Sequence, residues 1–133
     1  MDERRDDSTG DIRTVLVVDD EAPILEIVAR MLRFGGYDVL EATSGARGVE
    51  LVAAHPGTVH LVVTDVTMPG VNGLDLARQL MGSYADLMVL FISGDPRESF
   101  DDPDGRTSFL QKPFTSRVLL AAAADLLARP RRR

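Results

Sequence analysis

The sequence predicts an α/β domain built on a parallel sheet covered by helices on both faces. Three observations predict it. Five short apolar runs alternate with stretches of helical periodicity over short connections. The runs are rich in Val, Ile and Leu with little alternation, as strands buried on both sides require. The polar residues that interrupt them fall at their C-terminal ends, which form one rim in an open parallel sheet.

Each element has a local reason. Residues 1–11, MDERRDDSTGD, are charged with little to bury and read as a flexible lead-in to a domain over residues 12–128. Thr14 to Val18 is a β-branched run that ends in Asp19, Asp20 and Glu21. EAPILEIVARMLRFGG follows as a helix. Pro23 suits its first turn, Ile24, Ile27, Val28, Met31 and Leu32 recur at helical spacing, and Gly35 and Gly36 stop it. Tyr37 to Glu41 reads as a second strand. Gly45 to Ala54 reads as a helix with Val49, Val52 and Ala53 on one side, and His60 to Thr64 as a third strand. MPGVNG is dense in turn residues, and Leu74 to Met81 is a third helix. LMVLFIS is the fourth strand and Ser108 to Gln111 the fifth. Thr115 can cap a final Ala- and Leu-rich helix running to about Ala128. Most of Leu119, Leu120, Leu126 and Leu127 should face the sheet. Residues 129–133 form a basic tail, read as a helix terminus whose cations suit the negative end of the helix dipole.

Composition narrows the function. The 133 residues include no cysteine, which excludes disulfides, thiolate zinc sites and thiol catalysis. No apolar run approaches a membrane span, and the N-terminus lacks a signal-peptide core, so membrane insertion is not expected and a cytoplasmic location is. A net charge of −6 argues against direct nucleic-acid binding through phosphates.

The rim carries the chemistry. Asp19 and Asp20 end the first strand, Asp65 the third and Ser93 the fourth, while Lys112 ends the fifth just before Pro113. Any one of these has an ordinary explanation as a cap, a turn residue or a surface charge. Their joint placement does not. Close carboxylates repel, and a divalent, oxygen-loving cation such as Mg²⁺ relieves the repulsion. A carboxylate can also attack phosphorus to give an aspartyl phosphate. Lys112 would then balance charge on the transferring oxygens, and the Ser93 hydroxyl would donate to the bound phosphoryl group.

These residues resemble the response-regulator receiver domains of two-component signalling. VLVVDDE is similar to the family's acidic-pair strand and LVVTDVTMPGVNG to its phosphoacceptor strand and loop. VLFISG is similar to its hydroxyl-bearing strand and FLQKPF to its Lys-Pro strand. The resemblance covers residues 13–128 with all motifs in order. It implies a flavodoxin-like, doubly wound sheet of five parallel strands in the order 2-1-3-4-5. It implies Asp65 as phosphoacceptor and Mg²⁺ (or Mn²⁺) bound by Asp20, Asp65 and the Thr67 carbonyl, with Asp19 acting through water. Lys112 would contact the phosphoryl group, and Ser93 and Phe109 would be the switch pair. Glu21 is a further candidate for the site, or else a residue favouring the start of the first helix. The implied activity is receipt of a phosphoryl group from the phosphohistidine of a histidine kinase or phosphotransfer protein. Slow self-catalysed hydrolysis would follow, with no conventional small-molecule substrate. An unidentified downstream protein would read the change.

Two departures from the family pattern stand out. Phe109 can pack but cannot hydrogen-bond as a switch tyrosine does. Between Ser93 and Lys112 the segment GDPRESFDDPDGRTSFLQ is shorter than usual, and Pro103 and Gly105 would end any helix begun at Pro96. A short or irregular fourth helix is expected there, docked chiefly by Phe100. The stretch is not a calcium loop, because the first ligand position would fall on Phe100.

Nothing beyond residue 128 reads as an output domain, so the alternatives are a stand-alone receiver and a C-terminal receiver excised from a hybrid histidine kinase. A phosphorylation-independent interaction module is a third reading. A haloacid-dehalogenase-type phosphatase fits poorly, because its Asp-x-Asp signature meets Thr67 here.

Overall fold

The computed structural model describes residues 12–129. The expected lead-in over residues 1–11 and all of the basic tail but Arg129 lie outside them. Five strands and four helices follow one another: β1 Thr14–Val18, α1 Ala22–Phe34, β2 Asp38–Ala42, α2 Gly45–Ala54, β3 Leu61–Asp65, α3 Gly73–Ser83, β4 Met88–Ser93, β5 Thr107–Gln111 and α4 Ser116–Ala128. The strands are all parallel, in the order β2-β1-β3-β4-β5. The order reverses between β1 and β3, and the rim above that point is where such sheets bind ligands.

Two cores sandwich the sheet. Val15, Val17, Leu61, Val63 and Leu90 face Leu25, Val28 and Leu32 of α1 and Leu119, Ala123 and Leu126 of α4. Leu16, Val18, Val62, Val89 and Phe91 face Val52 of α2 and Leu76, Ala77 and Leu80 of α3. The three inner strands are buried along their whole length, which explains their unbroken apolar runs. Caps fix three helix starts: Ser44, Asn72 and Thr115 each accept a backbone N–H three residues on.

Two helical faces differ from expectation. The core stripe of α1 is Leu25, Val28, Ala29 and Leu32, while Ile27 is 50% exposed. In α2 the close approach is made by Gly45, Gly48 and Val52, with Ala53 outside. Several apolar residues in each helix fit helical spacing, so periodicity alone does not choose which of them face the sheet.

The largest departure lies between β4 and β5. Residues 94–106 form no helix; they run as irregular chain with turns at Pro96–Arg97 and Pro103–Asp104. Side chains hold what a helix would have held. The Asp95 carboxylate accepts the Arg97 N–H at 2.9 Å, and Asp102 accepts both the N–H and the hydroxyl of Thr107, at 2.7 and 2.9 Å. Such local acceptors compete with helical bonding. Gly105 takes φ +70, a left-handed turn position. Phe100 docks on Phe91 with ring centroids 5.3 Å apart, and the Arg78 guanidinium lies 5.3 Å over its ring.

Candidate functional site

The site is built from four strand ends. β1 delivers Asp19 and Asp20, β3 delivers Asp65, β4 delivers Ser93, and the chain leaving β5 delivers Lys112. Carboxylate oxygens of Asp19, Asp20 and Asp65 lie within 4.8 Å of one another. Asp19 and Asp65 are only 3% and 8% exposed, whereas Asp20 is open to solvent.

The two buried acids are held by backbone as well as by their strands. Asp19 accepts the Glu21 N–H at 2.9 Å, which turns the chain into α1. Burial raises the Asp19 pKa, and the negative charges of Asp65 and Asp20 push the same way. The Glu21 bond and the positive charge of Lys112 oppose them without cancelling the rise. Asp65 accepts the Thr67 N–H on Oδ1 at 3.1 Å, and the Lys112 ammonium on Oδ2 at 3.2 Å. Lys112 is therefore aimed at Asp65 from 47 residues away. The Lys112–Pro113 peptide bond is cis.

Two of the residues expected at the site sit at the rim with no side-chain bond to the triad. Glu21 is exposed, stands at the N-cap of α1, and takes part through its backbone N–H; its carboxylate is not in the acidic group. Ser93 is buried, but its hydroxyl donates to the Asp95 carbonyl at 3.1 Å and accepts the Asp95 N–H at 3.0 Å. Phe109 pairs in register with Phe91 and stacks on it at 4.7 Å.

Two contributors are not visible in the sequence. Gly73 starts α3, donates its N–H to the Val66 carbonyl at 2.9 Å, and lies against the backbone of Asp65. A Cβ there would collide with the Asp65 carbonyl oxygen. Its only signal is its place as the last residue of MPGVNG, where it looks like one more turn residue. The other is Arg106. Buried at the start of β5, it donates to the carbonyls of Leu87, Met81 and Tyr84. An arginine in a charged stretch gives no sign in sequence that it points inward.

Chemically, the rim is an acidic pocket with one cation on its central aspartate. Its donor set, all carboxylate oxygens with one acid strained by burial, suits a hard divalent cation. A doubly wound sheet of this order with an acidic pocket at its winding reversal is the architecture of receiver domains. The chain belongs to the response regulator receiver domain family, whose profile matches residues 15–124.

Relatives agree. The chain is 35% identical over 117 residues to the sensor kinase CckA of Brucella abortus, covering 86% of this chain and 12% of that one. It is 35% identical over 120 residues to the response regulator MprA of Mycobacterium tuberculosis, covering 86% and 50%. The chain thus spans half or less of these relatives. Among solved structures it resembles the receiver domain of hybrid histidine kinase CckA, at 32% identity and TM-score 0.73 over 86% of this chain and 98% of that one. It also resembles a receiver protein from Sinorhizobium medicae, at 30% identity and TM-score 0.77 over 88% and 95%. Among the described residues, no helix is long and apolar enough to cross a membrane.

Proposed function

We propose that this receiver domain is a phosphorylation-dependent switch that takes a phosphoryl group from a phosphohistidine onto Asp65. The observation that carries the reading is the pairing at Asp65. One carboxylate oxygen is held by the Thr67 N–H and the other by Lys112, beside two further acids. That arrangement keeps Asp65 oriented and leaves a charged partner next to the place where phosphoryl oxygens would arrive.

The transfer balances simply. A carboxylate oxygen of Asp65 forms the new O–P bond as the P–N bond to the donor imidazole breaks. The imidazole leaves with the electron pair and takes up a proton. Asp20, Asp65 and the Thr67 carbonyl would hold Mg²⁺ (or Mn²⁺), with Asp19 positioning it through water. The metal would supply neutralisation of charge on the phosphoryl oxygens. Lys112 moves its ammonium from Asp65 to those oxygens. Water later cleaves the acyl phosphate and resets the domain.

Readout follows from local charge. A phosphoryl group brings about two negative charges to Asp65. Ser93 leaves its bonds to Asp95 to donate to that group, and Phe109 turns toward the space it vacates. The surface around β4, β5 and residues 94–106 then changes for a partner. The donor is a histidine kinase or histidine phosphotransfer protein, and the domain acts in the cytoplasm. Likeness to the CckA receiver supports a hybrid-kinase setting as the alternative context.

The direct test is incubation with a small acyl-phosphate donor and Mg²⁺, followed by mass mapping. A phosphoryl group that is lost to hydroxylamine and maps to Asp65 is expected. Phosphate on a hydroxyl residue, or equal labelling of Asp65→Asn, would refute the assignment.

A further inference from the structure

We infer that the outer edge of β5 at Phe109 and Gln111, with the cleft beside it, binds an extended basic segment of a partner protein as an added strand. β5 is an edge strand, and residues 94–106 run beside it as irregular chain in place of a helix. Its inward groups are fixed by the ladder to β4. The Val89 N–H donates to the Arg106 carbonyl and the Lys112 N–H to the Ser93 carbonyl, so even-numbered residues point their backbone groups inward. Residues 107, 109 and 111 therefore point theirs outward. Thr107 is closed: Asp102 takes its N–H, and Arg129 donates to its carbonyl at 3.2 Å. Phe109 and Gln111 have no such side-chain partners among the described residues. Their four outward groups form a short template for strand addition.

Specificity comes from the wall of the cleft. It encloses about 180 Å³ and is lined by Ser93, Asp95, Pro96, Glu98, Phe109 and Gln111 among others. Residues 94–106 carry five acids (Asp95, Glu98, Asp101, Asp102, Asp104) against Arg97 and Arg106, a net charge of −3. Arg106 is buried on carbonyls and Arg97 is engaged by Asp95, so neither neutralises Glu98 or Asp101. A basic segment with alternate apolar side chains matches both the charge and the Phe109 surface. A second copy of this chain does not, because two-fold pairing of β5 would bring two acidic stretches together. Residues 130–133, PRRR, offer no aliphatic or aromatic side chain for the cleft beyond the proline ring.

The cleft also touches the proposed switch. Ser93 and Phe109 both line it, and the Ser93 bonds to Asp95 fix one wall. This coupling rests on the function proposed above: drawing Ser93 toward a phosphoryl group removes that wall and releases the added strand. Linkage then requires the strand to oppose phosphoryl binding by the same factor.

The test is titration of the nitrogen-labelled full chain with a six-residue peptide alternating valine and arginine, and with its glutamate counterpart. The arginine peptide is expected to shift the amide signals of Phe109 and Gln111, and the glutamate peptide is not. Gln111→Pro removes an outward N–H without touching the ladder and should weaken binding about tenfold. Because a proline at a strand end can impair folding, Glu98→Lys with Asp101→Lys provides a second variant, which should also weaken it. Mg²⁺ with beryllofluoride should weaken the peptide about fivefold or more. Equal response to both peptides, or full binding by a folded Gln111→Pro, would overturn the edge site. So would Phe109 and Gln111 signals that move with protein concentration alone, or on removal of residues 131–133. Unchanged affinity with the mimic bound would overturn the coupling. Failure of the mimic to bind at all would instead count against the phosphoryl switch and leave the edge site standing.

Discussion

Single residues decide whether the rim is a phosphoryl site. Asp19 is buried, and its pKa is raised by that burial and by its neighbouring acids. The unfolded chain therefore loses this proton at lower pH than the folded chain. Between those two values the native state binds more protons, so stability falls as pH rises through the window, and the cost is fully present above the folded value. Asp19→Asn should thus raise the melting temperature of the metal-free protein by a few degrees at neutral pH. The gain should shrink as pH falls through the acid range, and Mg²⁺ should stabilise the wild type but hardly the variant. A variant that melts lower than wild type without metal would contradict this. Gly73→Ala acts on the same site from behind. Its Cβ has nowhere to go but the Asp65 backbone, so α3 or β3 must shift. A loss of about 1–3 kcal/mol in denaturant unfolding is expected. Phosphoryl uptake should drop with it, and a variant of unchanged stability would mean the helix start yields freely. Lys112→Ala should leave Mg²⁺ binding largely intact and weaken retention of a phosphoryl mimic; equal loss of both would contradict separate roles.

Elements are legible in the sequence where periodicity and local chemistry agree. Strands β1, β3 and β4 stand out because burial on both faces demands continuous Val, Ile and Leu, and α2 spans the expected Gly45 to Ala54. Strand ends move by one residue, as with Asp65, which belongs to β3 itself. The stripe of α1 is less legible, since Ile27 and Leu25 satisfy the same spacing and only packing chooses between them. Pro103 and Gly105 signal that a regular helix fails between β4 and β5, although the short helix expected from Pro96 does not form either. What they do not signal is how the resulting chain stays in place. Arg106 does much of this, reaching carbonyls at the end of α3 and the start of β4. Arg106→Met would fill the space and leave those carbonyls without a donor. We expect a loss of about 2–3 kcal/mol, measured by denaturant unfolding, with faster proteolysis within residues 94–106. A change under about 0.5 kcal/mol would show that water replaces the guanidinium without cost.

At the scale of the whole molecule, the parallel sheet gathers residues that the sequence scatters. Asp20 and Asp65 are 45 positions apart, and Lys112 lies 47 beyond Asp65, yet all arise at one rim because every strand runs the same way. The candidate site is legible for that reason: rim position follows from strand direction alone. Rotamer and hydrogen bonding do not, so the engagement of Ser93 by Asp95 and of Glu21 through its backbone emerges only with the fold. The acidic balance and the irregular segment give this receiver a surface beside β5 unlike that of a chain with a helix there. The central claim is that Asp65 accepts a phosphoryl group in a metal-dependent way. Calorimetric titration of beryllofluoride in the presence of Mg²⁺, with wild type and Asp65→Asn, tests it most directly. Saturable binding by wild type that vanishes on chelation of the metal and in the variant is expected. Absence of binding by wild type, or equal binding by Asp65→Asn, would contradict it.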